Sequence, residues 1–189
     1  IAVVSTSADE RFNEQIAESP YGVLQVTGDN LFERIGKGRR ALFSTFLNSD
    51  ATHLFSLECD IFAEKHVPST LIKYEKQVVG VPYIMGYLSD PTTRLKKDYL
   101  VCLLDDNRVS LTMDELLDKA KGQDLVQINE MGLGCLMIER QVVKSYINEA
   151  PVSQVDCDDK FFYRHMRASG IPRFVSTSLI PSIKHFPHF

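Results

Sequence analysis

"GRRALFSTFLNSDATHLFSLECDIF", residues 38–62, holds one turn of the architecture in miniature. Apolar side chains at Leu42, Phe43, Phe46 and Leu47 recur at helical spacing, and the polar run Asn48-Ser49-Asp50 stops them. "THLFSL" then reads as a core strand, and it ends abruptly in two carboxylates, Glu58 and Asp60. In an extended chain residues two apart point to the same side, so the pair converges on one point past the carboxyl end of the strand. In open α/β sheets ligands bind at that edge. Two hard oxygens there suit Mg²⁺ or Mn²⁺, which takes one or two carboxylates and completes its shell with water and substrate phosphates. Acids at strand ends also serve as plain solvated turn formers.

Outward from this stretch, strand-like and helix-like runs alternate. "IAVVS" is a strand, "DERFNEQIAES" an amphipathic helix, and "YGVLQVTG" a second strand ahead of the helix at residue 38. "PSTLIKYEKQ" reads as a helix after Pro68, and "VVGVPYIM" as a strand interrupted at Gly80 and Pro82. Residues 86–98 read as irregular. "DYLVCLL" and "DLVQINEM" are strands separated by a polar turn and the helix "TMDELLDKAKG", where Thr112 and Glu115 fit a capping box. "GLGCLMI" is a strand, "RQVVKSYINE" and "DKFFYRHMRASG" are helices, the latter stopped by Gly170 and Pro172, and "RFVSTSLI" closes the sheet. The tail "PSIKHFPHF" is left over. This rhythm predicts an α/β fold: a Rossmann-like, mostly parallel central sheet flanked by helices.

A chain of 189 residues predicts a single domain spanning 1–189. It begins at Ile1 in mid-pattern, so it reads as part of a longer polypeptide with further domains possible. The net charge of −4 argues against a broad nucleic-acid surface, which needs a basic stripe. Cys59, Cys102, Cys135 and Cys157 are widely spaced, giving neither a disulfide framework nor a zinc knuckle. Free thiols fit a reducing, cytoplasmic compartment. No apolar run reaches the roughly 18 residues of a membrane span, and the start lacks a signal-peptide layout.

Other residues carry chemical potential. Gly132 and Gly134 in "NEMGLGCLMI" permit unusual backbone angles and close approach of main chain to a ligand, as a tight turn would also require. Asp158 and Asp159 open a helix, where they cap orphan N–H groups or, if burial or the neighbouring acid raises one pKa, act as a base. His185 and His188 lie in the tail, and imidazole suits Mn²⁺ better than Mg²⁺. His53 and His165 read as structural. The basic run "GKGRR", residues 36–40, opens a helix but lacks the full pattern of a phosphate loop, which rejects an ATPase.

Taken in order, "GRRALFSTFLNSDATHLFSLECDIFAEKHVPSTLI", "QVVGVPYIM", "NEMGLGCLMIERQVV" and "CDDKFFYRHMRASGIPRFVSTSL" resemble the core of GT-A fold glycosyltransferases, particularly the family-2-like group. That resemblance covers nearly the whole chain, and the order of its short motifs carries it. It implies that Glu58-Cys59-Asp60 stands for the family's DxD motif, with Glu in place of the first Asp, and that His185 completes a metal shell with Glu58 and Asp60. It implies that Gly132 and Gly134 line the donor-sugar pocket. Asp159 matches the base that takes the acceptor's proton in inverting members, with Asp158 beside it. Ser5, Thr6 and Ser7 at the end of the first strand, Asp29 after the second, and Arg40, whose guanidinium suits phosphate, match the donor-nucleotide positions.

The resemblance therefore implies a divalent-metal-dependent (Mn²⁺ or Mg²⁺) glycosyltransferase that moves a sugar from a UDP- or GDP-sugar to a glycan or other hydroxyl acceptor. Two alternatives stand beside it. A sugar-nucleotide nucleotidyltransferase needs a glycine-rich basic loop after the first strand, and "STSADERF" has none. A non-catalytic doubly wound binding or assembly module would use the same acids as caps and surface charges.

Overall fold

The structure, a computed structural model, describes residues 2–5, 11, 14, 18, 22–89, 96–103, 110–149 and 158–186. In chain order these form β1 (Ala2–Ser5), β2 (Gly22–Gln25), α1 (Leu31–Leu47), β3 (His53–Leu57), β4 (Ile61–Ala63), α2 (Val67–Lys73) and β5 (Val78–Gly80). There follow β6 (Ile84–Ser89), β7 (Lys96–Leu103), β8 (Ser110–Thr112), α3 (Met113–Ala120), β9 (Leu125–Ile128), β10 (Glu130–Met131) and β11 (Cys135–Glu139). The last elements are α4 (Arg140–Glu149), α5 (Asp158–Ala168), β12 (Arg173–Ser176), a 3₁₀ turn (Ile180–Ser182) and β13 (Ile183–His185). None of the described helices is long and apolar enough to cross a membrane. The chain divides into two compact units, one of residues 1–52 and 140–165, the other of residues 53–139 and 166–189.

In the first unit β1 and β2 pair in parallel. Helix α1 starts well before the basic run: Asn30 caps it by accepting from the Glu33 N–H at 2.9 Å, and the Glu33 carboxylate reaches back to the Asp29 N–H at 2.9 Å. Gly36 to Arg40 therefore lie inside the helix rather than opening it. The last turn of α1 carries no basic residue. Arg140 supplies the charge from α4, donating to the carbonyls of Leu47, Ser49 and Ala51 at 2.5, 2.8 and 2.9 Å while its guanidinium lies 5.4 Å from the Phe46 ring. A cation at the negative end of a helix, bonded to orphan carbonyls, stabilises that end. Phe43, Tyr146 and Phe162 pack around one another with centroids 5.2 to 6.2 Å apart, Tyr146 edge-on to both phenylalanines. His165 is buried, within 2.9 Å of Ser145 Oγ, in keeping with a structural role.

The second unit is where the sheet departs from expectation. Its five strands run in the order β3-β11-β5-β12-β9, and only β5 and β12 pair in parallel; β11 is antiparallel to both of its neighbours and β9 is antiparallel to β12. The fold is mixed α/β, not the mostly parallel sheet predicted from the rhythm. A strand buried on both faces is a continuous apolar run whichever way it points, and "CLMIE" of β11, four of its five residues buried, gives no sign of direction. Three further readings change. "VVGVPYIM" splits at Val81–Tyr83 into β5 and β6, which join different sheets. "DLVQINEM" splits at Asn129 into β9 and β10. Within residues 86–98, read as irregular, β6 and β7 pair antiparallel with a register shift between Ile84 and Gly86. The capping box at Thr112 and Glu115 is present on α3, and Gly170, with φ of 66°, lies just past α5. The core beneath the sheet gathers Val67 and Leu71 of α2 with Val79, Val81, Tyr83, Cys135 and Met137.

Candidate functional site

Strand β3 ends in a tight turn over Glu58, Cys59 and Asp60, closed by the Ile61 N–H donating to the Glu58 carbonyl at 3.1 Å. Beyond it, β4 pairs antiparallel with β13, the tail that seemed left over, in a register that sets His185 opposite Ile61. The Phe186 N–H extends this ribbon by donating to the Asp60 carbonyl at 2.8 Å. Two side chains 125 residues apart in sequence thus meet, with His185 Nε2 3.3 Å from Asp60 Oδ2.

The orientation of the ring decides what this contact can do. His185 Nδ1 lies 2.6 Å from the Ile84 carbonyl oxygen, which can only accept, so Nδ1 carries the proton. In the neutral ring Nε2 then points a lone pair at a carboxylate oxygen, and either a second proton or a cation must sit between them. A histidine fixed through its other nitrogen by a carbonyl is the usual arrangement of a metal-binding imidazole. The spacing fits as well: neighbouring ligands of an octahedral ion at about 2.1 Å stand roughly 3 Å apart. Tyr83 packs its ring against His185 at 5.4 Å, and both the imidazole and the Asp60 side chain are largely shielded, at 9% and 20% exposure.

Glu58 takes a different position. Its N–H donates to the Gly134 carbonyl at 3.0 Å, and a Cβ placed on Gly134 would come within 2.7 Å of Glu58 Oε2, 2.6 Å of Tyr83 Oη and 2.6 Å of Ile61 Cδ1. Any side chain at position 134 would therefore force Glu58, Tyr83 and Ile61 to shift. Unusual backbone angles, the other reason offered by the sequence, do not apply to Gly132 or Gly134: the left-handed glycines among the described residues are Gly122 and Gly170. Among the described residues no group of three His, Cys, Asp or Glu side chains could hold a metal ion by itself. The structure joins Asp60 and His185 and sets Glu58 in the same turn. Cys59 lies between the two acids, and partial desolvation of its sulfur with the charges of Asp60 and Glu58 raises its thiol pKa, which favours the protonated form.

The remaining sequence candidates lie in the first unit. Ser5 ends β1, buried, with its carbonyl accepting from the Val26 N–H at 3.0 Å; Thr6 and Ser7 lie outside the described residues, as does His188. Asp29 is exposed in the turn before α1, and Arg40 is half-buried within α1. Asp158 begins α5, and Asp159, half-buried, follows in its first turn. Sequence reasoning did not single out Tyr83 or the Ile84 carbonyl. The "PY" step of "VVGVPY" marked the place, but only the pairing of β13 with β4 reveals what stands against it.

No family model matches the chain. No curated protein matches it. Among solved structures it is similar to the crystal structure of A197 from STIV, at 18% identity and a TM-score of 0.51, over 99% of this chain and 84% of that one. At such identity the likeness speaks for a shared fold and not for chemistry.

Proposed function

We propose that this protein is a divalent-metal-dependent glycosyltransferase of the GT-A type, moving a sugar from a nucleoside-diphosphate donor to an acceptor hydroxyl. The observation that carries the reading is the Asp60–His185 pair: an oriented imidazole and a carboxylate, 3.3 Å apart at the turn that ends a core strand. Asp60 and His185 would hold Mn²⁺ or Mg²⁺, with Glu58 beside them acting directly or through water. When bound, the cation offsets the charge that builds on the departing diphosphate. Asp159 accepts the proton of the acceptor hydroxyl if the reaction inverts, while Ser5, Thr6, Asp29 and Arg40 hold the nucleotide.

Titration calorimetry of UDP and GDP with and without Mn²⁺, on the wild type and Asp60→Ala, tests the reading. Metal-dependent binding of one nucleotide that Asp60→Ala abolishes is the expected result. Failure of both nucleotides to bind with Mn²⁺ present would favour a non-catalytic binding module, in which Asp60 and His185 make a simple structural contact. That second reading draws on the lack of a three-ligand cluster among the described residues. Replacing Asp159 by Asn separates binding from chemistry, with transfer expected to fall by roughly 10² to 10⁴, the usual worth of general base catalysis, and nucleotide affinity to stay unchanged.

A further inference from the structure

Away from Asp60 and His185, a cleft of about 350 Å³ runs between the C-terminal end of α3 and strand β9. That volume lies at the small end of the range for ligand sites. Lys119 and Gln123 line it from the helix side, Leu125 and Gln127 from the strand, where alternation places these two on one face, and Asn129 from the break that follows it. Lys119, Gln123 and Gln127 are exposed, and among the described residues their side chains have no hydrogen-bond or ion-pair partner. Asn129 is held: its Oδ1 accepts from Arg173 Nη2 at 3.4 Å.

Among the described residues the lining holds one cation and no carboxylate. Asp124, between Gln123 and Leu125 in sequence, is turned elsewhere: Tyr74 Oη, Ser176 Oγ and the Ser178 N–H all donate to its carboxylate. Three carboxamides over a small apolar floor of Ala120 and Leu125 match a polyhydroxylated ring. Each amide both donates and accepts, as vicinal hydroxyls do, and the floor meets the C–H face of the sugar. The lone ammonium selects for an anionic substituent.

We propose that this cleft binds an acidic sugar unit of a glycan chain, with Lys119 on the carboxylate and Gln123, Gln127 and Asn129 on the hydroxyls. The site is independent of the transferase reading, since it shares no residue with the Asp60–His185 pair. Calorimetry of the full chain with tetragalacturonate and with uncharged cellotetraose tests it. The acidic tetrasaccharide should bind at least tenfold more tightly than the neutral one. Lys119→Glu should abolish that preference, Gln127→Ala should weaken binding several-fold, and neither should change Mn²⁺-dependent nucleotide binding. Absence of saturable binding of tetragalacturonate at millimolar concentration, or binding that both variants leave unchanged, would overturn the proposal. So would finding that an extended peptide, and not the sugar, protects the Leu125 and Gln127 amides from hydrogen exchange, which would make the cleft an edge for strand addition.

Discussion

Asp60 and Asp124 look alike in the sequence, since each is a polar residue directly before an apolar strand, β4 for one and β9 for the other. Their surroundings differ in kind. Asp124 is met by donors: the hydroxyls of Tyr74 and Ser176 and the N–H of Ser178, the latter two at 2.8 and 2.9 Å. Burial alone would raise its pKa, but these hydrogen bonds win and lower it. Asp60 Oδ2 instead faces an imidazole nitrogen whose partner nitrogen already carries the proton. A carboxylate surrounded by donors is a structural clamp. One that meets an imidazole nitrogen is the acid we propose for the cation.

Exchanging the roles of the two acids tests this contrast most severely. Asp60→Ala should lower Mn²⁺-dependent UDP affinity by at least about 100-fold, equivalent to about 2.7 kcal/mol, and leave urea-unfolding stability near that of the wild type. Nucleotide affinity retained in the variant would break the comparison from the Asp60 side. Asp124→Ala should do the reverse. Three donors lose their acceptor, so the unfolding midpoint should drop by the equivalent of about 2 to 3 kcal/mol, the range for hydrogen bonds to a charged group, with Mn²⁺ binding intact.

The acid limb of the stability profile sharpens the same point. Asp124 has its folded-state pKa below its ordinary 3.8, so its contribution is complete above roughly pH 4 and disappears as pH falls through the folded value. Urea titrations at pH 7 and pH 3 should show Asp124→Asn losing less stability on acidification than the wild type. An unchanged acid limb would remove Asp124 from the linkage. The smallest expected effect is that of Tyr74→Phe, which deletes one of the donors and should cost about 1 kcal/mol by the same measurement.

Much of this protein was legible before any tertiary structure. The strand "THLFSL", the capped helix at Thr112, the stop at Gly170 and the α/β class follow from periodicity and local hydrogen bonding, which depend on neighbours within a few residues. Asp60, His185 and Gly134 were each marked by residue type and place. What local pattern could not contain was the pairing between distant segments. The direction of β11 leaves no trace in its apolar run, because both faces are buried either way. The tail became β13 through hydrogen bonds to β4, some 120 residues away in sequence. That pairing set the Asp60 carboxylate against an imidazole fixed by the Ile84 carbonyl. The sequence by itself marked which groups could bind a cation or clamp a turn; only the tertiary structure brought three donors to Asp124 and the His185 imidazole to Asp60, because partners far apart in sequence meet only through long-range pairing.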